Sequence, residues 1–169
     1  MLLALFLFSS LSNSGQQPDV VCEFTSHVIN SNTIAALANR SCTYINGSVR
    51  IDESSDVTYE QLAEVFEIVG TIYGTLEIVN TPYKNLSFFK ALERMKPATE
   101  RTGYDLTIQN NTQLESADGV LIPFIYVRIL DNPLLGLNCT YVAEEYSTVR
   151  KIRGNKNNCG ERFHCKNKC

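Results

Sequence analysis

A chain of 169 residues, 44% hydrophobic and 20% charged, can bury one substantial core, which excludes two full-sized domains and leaves one domain with a short appendage. Its net charge of -3 is unevenly divided: residues 150–169 hold seven Lys/Arg against Glu161, a local +6, and the remainder holds -9. The acidic body offers no electrostatic footprint for nucleic acid, and no pattern in the chain requires a cofactor.

The opening "MLLALFLFSSLSNSG" sets an apolar run, Leu2 to Phe8, ahead of Ser12 and Ser14, the arrangement of a secretory signal peptide over residues 1–14. No later segment is apolar for ~18 residues, so a soluble, secreted, extracellular chain without a transmembrane segment is expected. Six cysteines follow: Cys22, Cys42, Cys139, Cys159, Cys165 and Cys169. Their even number suits disulfides in an oxidising compartment, and the gap between Cys42 and Cys139 suggests staples at both ends of a body with its own core. Five sequons, at Asn39, Asn46, Asn85, Asn110 and Asn138, point to a glycosylated exterior.

Between the first two cysteines, "TIAALAN" predicts a helix that covers the apolar end of the body. A short strand is then written four times. "GSVRID", "GTLEIVN", "YDLTIQNN" and "YVRILDN" each place two aliphatic residues one apart, so that both point to the same face. The pairs are Val49 and Ile51, Leu76 and Ile78, Leu106 and Ile108, and Val127 and Ile129. In the last three copies Asn80, Asn110 with Asn111, and Asn132 mark a corner where left-handed backbone is tolerated, and Leu86, Leu114 and Leu135 follow. The first aliphatic positions, 49, 76, 106 and 127, are 27, 30 and 21 residues apart, which are solenoid periods. Between the strands, "DVTYEQLAEVFEI" predicts a helix with Thr58 and Gln61 at capping-box spacing. "NLSFFKALERM" predicts a second, with Phe88, Leu92 and Met95 on one side and Ser87 as its cap.

In this order these features resemble the receptor L domain, the leucine-rich-repeat-like module of insulin-receptor and epidermal-growth-factor-receptor ectodomains. "CTYINGSVRI" looks like that family's opening cysteine and first strand, "IVGTIYGTLEIVNTPYKNLSFFKAL" like its second strand and corner, and "LTIQNNTQL" and "VRILDNPLL" like its third and last units. The resemblance covers Cys22 to Cys159 and leaves residues 160–169 as a short basic tail. It implies an α/β solenoid, a right-handed parallel β-helix with capping helices and a disulfide at each end, Cys22 to Cys42 and Cys139 to Cys159. Cys165 and Cys169 could pair together or with another chain.

The resemblance also implies recognition of an extracellular peptide or protein by the outward strand residues: Arg50, Asp52, Glu77, Val79, Thr107, Gln109, Arg128 and Leu130. That face offers arginines but no aromatic anchor; Tyr73, Tyr83, Phe88 and Phe89 either line nearby loops or belong to the core. A β-helix can also be a glycan-active enzyme, but Asp52 and Glu77 sit at different positions in neighbouring coils and form no acid/base pair, so no catalytic residue is expected. Cys159, His164, Cys165 and Cys169 match no common zinc spacing, and oxidised thiols bind no metal. The remaining alternative is a matrix-associated glycoprotein held by its basic tail. Oligomeric state is not legible.

Overall fold

The computed structural model describes residues 19–96, 103–120, 126–137 and 149–158. Residues 1–14, Asn138, Cys139, Cys159, His164, Cys165 and Cys169 lie outside them.

The chain winds as a solenoid between two parallel sheets. One contains β1 (Val21–Glu23), β2 (Tyr44–Asn46), β4 (Thr71–Tyr73) and β6 (Arg94–Met95), in that order. The other contains β3 (Val49–Ile51), β5 (Leu76–Val79), β7 (Leu106–Gln109), β8 (Tyr126–Leu130) and β9 (Val149–Arg153). Two turns join the sheets through glycine. A Cβ at Gly47, whose φ is 142°, would lie 2.0 Å from the Phe24 carbonyl oxygen, and one at Gly74 would lie 2.6 Å from the Gly47 backbone. Only hydrogen fits where consecutive coils turn on top of each other.

The expected registration of the aliphatic pairs is borne out. Val49, Leu76, Leu106 and Val127 face one another across adjacent strands, and Ile51, Ile78, Ile108 and Ile129 form a second column that continues to Ile152. The first eight are at most 2% exposed. Each such side chain contributes roughly 1.5–3 kcal/mol of transfer free energy. Leu86, Leu114 and Leu135, after the corners, are fully buried.

The sides not closed by sheet carry α1 (Ser31–Ala38) and α2 (Tyr59–Phe66). Both begin with capping boxes, Asn30 with Thr33 and the expected Thr58 with Gln61. α1 turns Ile34 and Leu37 inward and packs beside α2. The second expected helix is not formed. Ser87–Phe89 makes a single 3₁₀ turn with no side-chain cap, and Arg94–Met95 is β6. Phe88 and Phe89 drop straight into the core beside Phe66 and Tyr83, with ring centroids 4.7–5.7 Å apart, and Met95 leaves to pair with Ile72. Burial of the two phenylalanines outweighs continuing the helix.

The corners combine two residues with separate tasks. Asn80, Asn110 and Asp131 adopt φ of 55°, 57° and 56°, and Gly154 takes 70° at the same place after β9. The next residues, Thr81, Asn111, Asn132 and Asn155, are at most 9% exposed and form a ladder. The Asn111 Oδ1 accepts from the Thr81 amide and hydroxyl at 2.9 and 2.7 Å, and its Nδ2 donates to the Ile78 carbonyl at 3.0 Å. Asn132 repeats this, accepting from the Asn111 amide at 3.0 Å and donating to the Ile108 carbonyl at 3.2 Å. Asn155 repeats it again with Asn132 and Ile129. The left-handed residue of the last expected corner is therefore Asp131, and Asn132 is a ladder residue.

Replacing Asn132 by Ala leaves the Asn111 amide and one Asn111 Nδ2 hydrogen without their acceptor in a dry interior, and removes the side-chain donor to the Ile108 carbonyl and the Asn155 Oδ1. A destabilisation on the order of 2–4 kcal/mol is expected in urea unfolding, against less than about 0.5 kcal/mol for the exposed Thr112→Ala. An unchanged midpoint for Asn132→Ala would contradict the structural role of the ladder.

Candidate functional site

The outer face of the five-stranded sheet carries two rows of side chains set by strand alternation. The first runs Arg50, Glu77, Thr107, Arg128, Lys151 in lateral register. The second runs Val79, Gln109, Leu130, Arg153, with Asp52 just past the end of β3. At the usual strand spacing the face is about 19 Å wide.

Seven of the eight expected outward residues are partly exposed on this face. Leu130 is not available. It is 1% exposed although it alternates outward, and it stands between Gln109 and Arg153, whose longer stems can lie over it.

The two expected arginine anchors differ. Arg50 is held by its neighbours: Nε donates to the Asp52 Oδ2 and Nη1 to the Glu77 Oε2, each at 2.5 Å. Hydrogen bonding to Asp52 leads the causes that raise the guanidinium pKa, so the group stays charged and is already matched. Desolvation acts to raise the Asp52 pKa, but bonds from the Ser54 hydroxyl and amide and from Arg50 outweigh it and hold the carboxyl below its ordinary value of 3.8. One guanidinium therefore bridges the two carboxylates considered for acid/base chemistry.

Arg128, at the other end, has no carboxylate partner among the described residues. Its guanidinium carbon lies 6.0 Å from the Tyr104 ring centroid, and its Nε is buried without a hydrogen-bond partner among those residues. Lys151 and Arg153 flank it on β9, both exposed. The face thus has a polarity: one cation with two carboxylates on β3 and β5, uncharged Val79, Thr107 and Gln109 next, and three cations on β8 and β9.

Sequence reasoning missed β9, and with it Lys151 and Arg153. "KIRGN" repeats "RILDN", with Ile152 and Asn155 matching Ile129 and Asn132, but Arg150 stands opposite Val127 and hides the aliphatic pair. Part of the basic charge assigned to a tail therefore belongs to the sheet. The absence of aromatics was also too strict, since Tyr104 backs Arg128. Tyr83, Phe88 and Phe89 are core, whereas Tyr73 lies on the outer face of the other sheet.

Cys22 is bonded to Cys42 as expected, with Cα atoms 5.7 Å apart. Asn39, Asn46 and Asn110 are exposed, while Asn85 is half-buried and accepts from the Tyr59 hydroxyl at 2.9 Å. Among the described residues there is no cluster of three His, Cys, Asp or Glu suited to a metal and no helix long and apolar enough to cross a membrane.

The family described as receptor L domain matches residues 41–148, more than half of the chain. The chain belongs to the receptor L domain family. A comparison with curated proteins finds no match. Receptor L domains are extracellular, ligand-binding, non-enzymatic modules. In this one the solenoid runs past the matched segment at both ends, through β1 and α1 before it and β9 after it.

The Arg50 network is a surface feature, and its side chains bear on its worth: Arg50 and Glu77 are each 38% exposed. Arg50→Ala is expected to cost less than about 1 kcal/mol. Because the folded-state pKa of Asp52 is depressed, its contribution is present above the unfolded value and lost as pH falls through the folded one. The wild type should therefore lose more stability than Arg50→Ala on acidification below about pH 4. Parallel stability curves for the two proteins over that range would contradict the pairing.

Proposed function

We propose that this receptor L domain is a secreted, glycosylated, right-handed β-helical binding module that captures an extracellular peptide or protein through the outer face of its five-stranded sheet. Residues 1–14 act as the signal peptide, and Cys139 with Cys159 closes the far end. The chain acts without catalysis or cofactor, in a growth-factor- or insulin-like signalling context, as a soluble receptor or antagonist.

The observation that carries this reading is the cationic end of the face. Arg128 lies against Tyr104, its Nε–H buried and without a partner among the described residues, with Lys151 and Arg153 beside it. A planar guanidinium held on an aromatic ring is a preorganised anchor for a ligand carboxylate, and because its Nε is buried while the residue is partly exposed, its terminal N–H groups are the ones a ligand meets. The partner is accordingly acidic where it meets β8 and β9, and uncharged where it crosses Val79, Thr107 and Gln109. Arg50, already neutralised, contributes little.

The matrix alternative draws on a specific observation as well: the basic charge extends from β9 into residues 160–169. The glycan-active enzyme retains no particular support, because Asp52 and Glu77 are both bonded to Arg50.

Affinity capture from extracellular fluid, quantified for wild type and variants, distinguishes these readings. Arg128→Glu with Lys151→Glu is expected to weaken capture on the order of a hundredfold and flatten its salt dependence, with Arg50→Ala within about threefold of wild type. Capture lost on deleting residues 160–169, but kept by the β8/β9 double variant, would transfer the function to the tail.

A further inference from the structure

The outer face of the four-stranded sheet has a different chemistry. Tyr44 and Tyr73 lie there half-exposed with ring centroids 6.1 Å apart, and the Lys96 ammonium sits 5.3 Å from the Tyr73 ring. Val21, at the edge, is 52% exposed. Asp19 beside Tyr44 raises its hydroxyl pKa, chiefly by its charge and then with desolvation, so the phenol stays neutral. The two rings form a small aromatic platform on the sheet, open to a ligand that stacks on it.

The size of the patch limits that ligand. Four strands span about 14 Å, and three residues of strand about 10 Å. That is on the order of 140 Å² in projection, about the footprint of one or two sugar rings.

The sugar has an attachment point within the patch. Asn46, of the sequon Asn46-Gly47-Ser48, ends β2, is exposed, and stands in lateral register between Glu23 and Tyr73. Its Nδ2 donates to both Glu23 carboxylate oxygens at 2.9 Å. Glycosylation replaces one N–H and leaves the other to donate to Glu23, which fixes the amide against the sheet. Tyr73 stands one strand away on the opposite side, about 4.8 Å in lateral spacing. An aromatic face presents negative potential to the C–H edges of a pyranose, the complement that a sugar ring offers.

We propose that Asn46 carries an N-linked glycan whose first sugar stacks on Tyr73, so that the chain's own carbohydrate masks the four-stranded sheet and leaves the five-stranded sheet as the accessible face. The first of these statements rests on the secretory reading above; the stacking and masking go beyond it. The backbone supports such a mount. Gly47 donates to the Tyr73 carbonyl at 2.9 Å, the Ser48 Oγ accepts from the Thr75 amide at 3.2 Å, and Cys22 with Cys42 ties β1 to the segment leading into β2.

The test expresses the full chain in a eukaryotic secretory host and maps each sequon by glycopeptide mass spectrometry. Asn46 is expected to be occupied in most molecules. Tyrosine nitration followed by peptide mapping then compares wild type with Asn46→Gln: Tyr73 should react at least about fivefold faster in the variant, with Tyr104 unchanged. In the glycosylated protein, the first-sugar proton signals should be ring-current shifted and return to ordinary positions in Tyr73→Ala. Occupied sequons elsewhere with Asn46 empty would overturn this proposal and leave secretion standing. A chain retained in the cell with every sequon empty would overturn both. Asn46 occupied, but with equal Tyr73 reactivity and unshifted sugar signals, would overturn the stacking.

Discussion

Every coil of this solenoid must leave its long sheet through a corner, and at each corner backbone carbonyls and amides point into a largely apolar interior. Asparagine resolves this because one short side chain carries both an acceptor and two donor hydrogens. The Nδ2 of Asn111, Asn132 and Asn155 reaches the carbonyl of the preceding coil, while each Oδ1 accepts from the preceding ladder residue. Thr81 closes one end, where only donation is required, and Asn158 accepts from Asn155 at the other. Hydrogen bonds in such a chain polarise one another, and the low dielectric that strengthens them also makes a gap expensive. The coils are therefore held in one lateral register, and the outer face inherits it.

That dependence explains what the sequence could and could not disclose. The paired aliphatics at 49, 76, 106 and 127 betray the solenoid because period-two alternation and a long repeat are local signals. The ladder is written in the same stretch, yet Asn110 and Asn111 look interchangeable in a string of letters. Only the fold separates a left-handed corner facing water from a buried side chain spanning two coils. Phe88, Leu92 and Met95 misled for a related reason: their helical spacing was real, but Phe88 and Phe89 fill the interior and the helix stops after one turn. The second sheet, built from strands of two or three residues, is too short to write a periodic signature, so its tyrosines were legible as residues but not as a surface.

The candidate face shows the same division. Which residues point outward follows from alternation, and seven of eight did so with exposure. What each can do depends on its lateral neighbours, which are 20 to 30 residues away in the chain. Arg50 and Arg128 share a row and differ in their surroundings because Glu77 and Asp52 reach the first, while Tyr104 and Lys151 adjoin the second.

Arg128 and Lys151 stand directly opposite each other on adjacent parallel strands, an arrangement that opposes folding, since like charges in lateral register repel. Elsewhere the same sheet avoids it: Arg50 faces Glu77 and Glu77 faces Thr107. A sheet stabilised for its own sake would place a carboxylate or a threonine at one of those two positions, as its other strands do. Retaining repulsion at an end where the described residues supply Arg128 with no carboxylate is unfavourable, and an acidic ligand relieves it. Such trade-offs between stability and activity belong to functional surfaces. The unfavourable electrostatics of β8 and β9, more than the exposure of the face, are what favour that end as the part of the receptor L domain that meets a partner.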